Sequence, residues 1–532
     1  MIQRLASWVY KRPLYALTLA GRVPQVLSCL PPPDKSGDAA RGRLILGGAL
    51  VCGGQKFAAA RPKWFDPAAD RPALAALHGF GYLADLAAVG ESARGCASAL
   101  VGDWIASGSQ WHDVTWAPEI LGSRIAAWLS HAPLLSSAAN QAPDRAILNS
   151  LARQTRHLAR VVAGGRAGVA RLDALKGLIY GGACGIVSRR ALGRGLPILR
   201  LELDRQVLAD GTHAEKSPAA QYRAVADLVD IRDVLQAAGH PVPKELHDAI
   251  GRAAAMLSFF RHGDGELALF NGAASGSAKA IDALLMRSRS KEPVPVAAGD
   301  GGFQRLAAGT TVVIQDVGKP PRPGLDTAAH AGCLAFEMSD GSDRLVVNCG
   351  AAAGVNGESL RTTAAHSTLV VADVNSAEVT PGGGLGRRPM HVDASRDETD
   401  GNIWVTASHD GYRDRFGLTH RRRLYLSAAG DNLRGEDTLV STEGAAAHEF
   451  AVRFHLHPDV KASMLQNGAA VLLQTPSGRG WRFQNSGGTP RLDESIYAAH
   501  DGIRRSQQIV IDAATQRGGS VVKWAFQRVS ER

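Results

Sequence analysis

Cysteine is scarce, with six residues in 532, at positions 29, 52, 96, 184, 333 and 349. No two stand as Cys-x-x-Cys, which excludes zinc-ribbon and thioredoxin-type sites. Six in a chain this long is too sparse for a disulfide scaffold. Long hydrophobic runs are missing as well, and no stretch reaches the ~18 apolar residues that a membrane-crossing helix needs. Neither Gly-x-Ser-x-Gly nor the P-loop pattern occurs, so serine-hydrolase and nucleotide-phosphate readings fall away. The arginines are dispersed and no aromatic-basic RNA-binding signature is present, which argues against a nucleic-acid partner. Despite 59 glycines there is no Gly-X-Y period, so a collagen-like chain is excluded.

What is present reads as a packed globular protein, 45% apolar and 21% charged. Sixty Lys and Arg stand against fifty Asp and Glu, a net charge of +10 that favours an anionic partner. Acidic polysaccharide, anionic lipid and nucleic acid all satisfy that charge. The first 33 residues are weakly apolar, interrupted at Arg12-Pro13 and without a small-residue cleavage site. They are read as an amphipathic surface helix rather than a cleaved signal.

Two grammars follow. From about 75 to 290 the apolar residues recur with helical period. Examples are Ile120, Arg124 and Trp128 after Pro118, then Val225, Leu228, Ile231 and Val234, then Leu246, Ile250, Ala254 and Leu257. After about 300 come short β-branched runs (TVVIQDV, RLVVNCG, STLVVADV, IWVTASH, RRLYLSA, AVLLQT, QQIVI, VVKWAFQRV) separated by Gly, Asn, Asp and Ser. The expected fold is α+β multidomain: an N-terminal extension (1–74), an α/α toroid or incomplete helical barrel (75–290), and an antiparallel β-sandwich (300–532). The helix-to-strand switch is expected between 285 and 310, and PGGGLGRR (381–388) reads as a flexible loop.

Seven segments in order carry a family resemblance: RQTRHL (153–158), LDRQVLADGTHAEKSP (203–218), FFRHGDGELALFNG (259–272), the stretch 329–350, TAAHSTLVV (363–371), SHDGYRDRFGLTHRRRLYL (408–426) and FHLHPDV (454–460). Together they resemble the heparinase II/III-like family of polysaccharide lyases, in its alphaproteobacterial branch. The resemblance implies a toroid followed by a sandwich, and β-elimination on glycans that contain uronic acid. In that chemistry a cation neutralises the uronate carboxylate, a base takes the adjacent ring proton, and an acid protonates the leaving oxygen. It also implies an acidic polysaccharide partner and a place in the periplasm or cell envelope, whereas the absence of a clear signal peptide favours the cytoplasm.

The chain departs from the family at two points. With Lys176 on the family's lysine, Val169 and Ala170 stand where active members carry an Asn-His pair. Ala220 stands where the family's tyrosine belongs, and using Tyr222 instead would turn the side chain by about 200° around a helix. The remaining candidates are therefore His213, His366 and Tyr412 for acid/base work. Arg261, His262, Glu215 and Arg422 are candidates to hold substrate. His366, His409 and Glu378, with Asp373 as the alternative carboxylate, form a candidate structural zinc set, although no cofactor is required. His213 also reads as a turn histidine, Glu215 as a helix cap, Tyr412 as an aromatic packed under its loop, and Arg421, Arg422 and Arg423 as a solvated strand face. His455 and His457 alternate on one strand and read as the sandwich's polar side. Trp104, Trp111, Trp116 and Trp128 read as toroid core rather than sugar platforms. Two functions stay open: a lyase, and a non-catalytic glycan-binding or envelope-assembly protein that keeps the fold.

Overall fold

The computed structural model describes residues 8–33, 37–108, 111–136, 143–274, 276–352, 357–441, 446–465, 468–499, 502–516 and 519–529. The chain forms two compact units, one of residues 1–206 with 223–250, the other of 207–222 with 251–532. Helix Ala278–Ser288 and the first strand of the large sheets, Ala297–Ala298, bracket the switch from helix to strand.

Among its described residues the first unit is helical apart from one short hairpin, Ala49–Cys52 with Gln55–Ala58, and a single bridge between Ser136 and Pro143. Two of its helices, Pro118–Ser130 and Val169–Ala183, cross closely because glycine meets glycine. A Cβ on Gly177 would stand 2.4 Å from the Gly122 Cα. Pro118 sits in the first turn, where its missing N–H has no intrahelical partner to lose. Trp104, Trp116 and Trp128 are buried. Arg124 lies within this core, donating to Gln154 Oε1, the His78 carbonyl and the Thr115 carbonyl at 2.8–2.9 Å while stacking on Trp104. Burial pulls its guanidinium down to about 9. Lys176 is equally sequestered, bridging Asp227 at 2.6 Å and Asp230 at 3.3 Å.

The N-terminal stretch, expected as an amphipathic surface helix, is helical at residues 8–10 and again over Pro13–Thr18 among the described residues, with the break at Lys11-Arg12. Pro13 takes the first helical position, while Gly21, with φ of 151°, and Pro24 prevent continuation. Residues 1–7 of that stretch lie outside the described residues.

The second unit carries two antiparallel sheets. The eight-stranded sheet runs in the order Lys461–Met464, Ala470–Gln474, Gly480–Ser486, Ser520–Arg528, Asn432–Ser441, Leu418–Leu426, Asn402–Tyr412, Val392–Thr399. The other sheet centres on Glu449–Leu456, Asp343–Val347 and Phe336–Asp340. Their facing sides form one apolar core that includes Phe336, Leu424, Phe454, Phe483, Trp524 and Phe526. Phe336 and Trp524 stack at 5.4 Å and 6°. Strand Leu418–Leu426 shows the underlying period of two, with even-numbered residues buried and odd-numbered ones partly or fully exposed.

Candidate functional site

The segment 207–222, expected to carry acid/base chemistry, folds into a tight turn closed by its own side chains. Asp210 supports it twice. Its Oδ1 accepts the Thr212 N–H, and its Oδ2 accepts the N–H groups of Asp300 and Gly301, all at 2.8 Å. Gly211 has φ of 88°, and a Cβ there would stand 2.4 Å from the Arg252 carbonyl oxygen, so only glycine fits. His213 is 1% exposed. Its N–H donates to Gln221 Oε1 at 2.6 Å, and its Nδ1 accepts the Glu215 N–H at 3.3 Å. Gln221 in turn donates to the carbonyls of Gly211 and Ala253. His213, expected as the toroid-side acid/base, is thus a turn histidine of the second unit.

Beyond this turn lies a narrow cavity of about 10 Å³, lined by Lys216, Asn271, Asp316, His330, Cys333 and Ser376 among others. That is room for about one water and not for a sugar ring. Lys216 Nζ donates to the Lys319 carbonyl at 3.0 Å. Asn271 joins two segments, donating to the Lys216 carbonyl at 2.7 Å and accepting the His330 N–H at 3.0 Å. Burial pushes the Asp316 carboxyl up to about 7 and the Lys216 ammonium down.

His366 stands beside His330, and the hydrogen bonds fix both tautomers. His366 Nδ1 donates to the Thr362 carbonyl at 2.7 Å. Its Nε2 is therefore the acceptor for His330 Nδ1–H at 3.0 Å. His330 Nε2 then accepts the Gly272 N–H at 3.0 Å. All four ring nitrogens are committed, and both rings are neutral. Burial pulls His366 down to about 4, and pulls His330 well below the usual histidine range, with His366 and Arg361 adding to it. Gly332 leaves room for the ring, since a Cβ there would stand 2.6 Å from His366 Cδ2. This arrangement leaves His366 neither a lone pair for a substrate proton nor a proton to give without breaking the relay.

His409 belongs to a second network, inside the eight-stranded sheet. Its Nδ1 accepts the Gly411 N–H at 3.0 Å, so its Nε2 faces His420 Nδ1 as donor at 3.3 Å. His420 Nε2 donates to Asp437 at 2.7 Å. Arg422 grips Asp437 with Nε and Nη2 at 2.8 and 3.0 Å, and Trp524 Nε1 adds a fourth donor at 2.8 Å. Arg422 and His420 hold the Asp437 carboxyl well below the usual range despite burial. Arg422 is 0% exposed, and its Nη1 donates to the Leu334 and Ser367 carbonyls. Arg422, expected as a uronate clamp, has its charge paired with Asp437 in this structure.

Tyr412, expected to be catalytic, is also 0% exposed, and its hydroxyl donates to the Leu369 carbonyl at 3.0 Å. Burial pushes that hydroxyl up. The zinc set is not assembled. Glu378 Oε2 accepts the Arg387 N–H, and Asp373 is largely exposed near Arg453. Among the described residues no three His, Cys, Asp or Glu side chains are grouped to hold an ion. The 381–388 loop is a closed turn rather than a free flap. Arg361 donates to the Gly384 carbonyl, and Asp326 accepts the Leu385 N–H and pairs with Arg388.

Arg261 and His262, also expected to hold substrate, are engaged as well. Arg261 donates to the Gly265 carbonyl and to Asp282 at 2.8 and 2.7 Å. His262 is buried between Ser339 Oγ and Glu337 at 3.0 and 3.2 Å, and burial pulls its ring below the ordinary value. His455 bonds Ser495 and the Ala364 carbonyl, pulled down to about 3 by burial. The groups that sequence reasoning missed are His330, Asp316, Asn271, His420 and Asp437. His330, Asn271 and His420 stood inside recognised segments and Asp316 in a strand run, but the partners that the fold brings to all five lie many residues away.

Comparison with known proteins agrees with this architecture. A sequence model described as "Heparinase II/III-like, C-terminal" matches residues 291–525. FtsZ-localized protein C of Caulobacter vibrioides is 34% identical over 535 aligned positions, covering 96% of this chain and 92% of its own. The crystal structure of heparinase III superposes with a TM-score of 0.71 at 15% identity, over 88% of this chain and 80% of that one. Heparan sulfate lyase HepC from Pedobacter heparinus gives 0.62 at 15% identity, over 97% and 87%. At such identity the solved structures speak for the fold, and the Caulobacter relative and the matched domain speak for descent. The chain belongs to the heparinase II/III-like family.

Proposed function

We propose that this chain is a non-catalytic member of the family, a glycan-binding protein of the cell envelope that works where FtsZ is found. One observation carries the first half of the proposal. His213, His366 and Tyr412, the groups expected to move protons, are each at most 1% exposed and hydrogen-bonded. A general acid or base has to come within hydrogen-bond reach of the substrate atom it serves. Val169 and Ala170, at the start of helix Val169–Ala183, supply no titratable group. The location is drawn from the name of the Caulobacter relative. The basic balance of +10 fits an acidic glycan.

The test is to incubate the purified protein with a panel of uronate-containing glycans and follow absorbance near 230 nm, which rises when elimination creates an unsaturated uronate. No rise is expected, alongside measurable glycan binding. Steady product formation would overturn the proposal and restore the lyase reading. That second reading has one observation in its favour: Asp316, raised to about 7 by burial, and Lys216 line the same cavity. A fluorescent fusion expected to track FtsZ rings tests the location.

A further inference from the structure

The outer face of the eight-stranded sheet carries an open groove of about 860 Å³, wholly within the second unit. Strand register writes its floor as two rows. The first runs Trp404, Tyr425, Arg434, Ala525, Gln484 on five neighbouring strands. The second runs Thr406, Arg423, Glu436, Lys523, Ser486 on the same strands. Four inter-strand spacings make each row about 19 Å long.

The chemistry is consistent along both rows. Trp404 and Tyr425 pair at 5.0 Å with a 49° tilt, and Tyr425 is oriented by its hydroxyl, which donates to Asn402 Oδ1 at 2.8 Å. The Arg434 guanidinium lies 5.5 Å from the Tyr425 ring centre. Arg423, Arg434, Arg482 and Lys523 face one carboxylate, Glu436, which sits 3.6 Å from Lys523. Among the described residues the Arg423 and Arg482 backbones are paired in the ladder, while their guanidinium groups have no hydrogen-bond or ion-pair partner. Gln484, Asn485 and Ser486 add amides and a hydroxyl at the far end.

We propose that this groove is a binding site for an acidic oligosaccharide, separate from the histidine networks. Aromatic rings offer a flat apolar platform to the C–H face of a sugar. Guanidinium forks match carboxylates or sulfates in geometry as well as charge, and amides serve hydroxyls. A docked protein segment fits less well, because the sheet backbone here is already paired and protein interfaces keep charge away from their centres. Single-stranded nucleic acid is recognised by a succession of stacking rings, whereas this groove has one aromatic cluster at one end. The inference rests on the glycan-binding reading and names its site.

The test is calorimetric titration of the full chain with hexagalacturonate, against cellohexaose, hexaglutamate and oligothymidylate at one salt concentration. Hexagalacturonate should bind at least ten-fold tighter than the three controls. Trp404→Ala and the double charge reversal R423E/R434E should each weaken it ten-fold or more, with unchanged melting temperature. Arg482→Glu, at the opposite end, gives a second reading if either variant folds poorly. Hexaglutamate or oligothymidylate binding as tightly as the uronate would overturn the assignment in favour of a peptide or nucleic-acid site. Uronate binding that survives every groove variant would overturn the groove while leaving the glycan-binding reading intact. No uronate binding by the wild-type chain would overturn both.

Discussion

Arg422 and Arg423 are adjacent in sequence and opposite in physics. One lies inside the sandwich, gripping Asp437 in a network with His420 and Trp524. The other stands in solvent on the groove floor. A strand turns successive side chains to opposite faces, so one arginine run supplies both a structural cation and a recognition cation. Residue type alone carries no function here; the face does. The same contrast separates the inward histidines, neutral and fully engaged, from the outward aromatics and cations, which have unused surfaces.

The largest test of that contrast is Asp437→Ala. It strands a buried guanidinium, a histidine and an indole N–H, at a cost of about 3–5 kcal/mol. The shift in urea midpoint measures it, and a loss below about 1 kcal/mol would mean that the inner network is not structural.

Acid comes next. Folded-state values of about 4 for His366 and about 3 for His455 lie below the ordinary histidine value of 6.5. The native state therefore binds fewer protons than the unfolded chain between those values, and stability is lost as pH falls through 6.5 toward 4. His366 alone should contribute roughly 3 kcal/mol of that loss. Asp316, raised to about 7, works in the opposite direction, since its cost is full above pH 7 and relieved below. Urea titrations from pH 7 to 4.5 should show a shallower acid loss in His366→Gln than in wild type. Equal slopes would place the sensitivity elsewhere.

Gly332→Ala should cost about 1–3 kcal/mol by pressing a methyl group on the His366 ring, as overpacking does. Melting temperature reports it, and a neutral result would show that the relay tolerates displacement. Smallest of all, Arg423→Glu should change stability by no more than about 0.5 kcal/mol, as exposed substitutions do. A large effect in thermal melts would make the outer face structural and erase the contrast.

The two-part architecture was legible in the sequence because period 3.6 and period 2 are local properties. Arg421–Arg423 read as one solvated strand face, whereas the alternation of the strand turns Arg422 inward. That depends on Phe336 and Trp524, which lie on other strands. His366 was picked out by its motif, yet His330 is 36 residues earlier, and nothing local links them. His420 and Asp437 meet only because their strands are neighbours in the sheet. The N-terminal helix is broken where the sequence suggested, at Arg12-Pro13, and its second piece ends before Gly21 and Pro24 for a local reason. The groove was invisible because its rows run across five strands.

Asp210 leaves the ribosome 90 residues ahead of Asp300, whose N–H it will accept. At bacterial synthesis rates of about 5–20 residues per second, the turn waits roughly 5–18 s for its backbone donors. Asn271 likewise waits for His330. Nascent chains stalled before residue 301 should therefore expose the 207–222 turn to protease. A recombinant fragment limited to 291–525 would lack Asp210 and Asn271 from the start, leaving the Asp300, Gly301 and His330 amides without their acceptors.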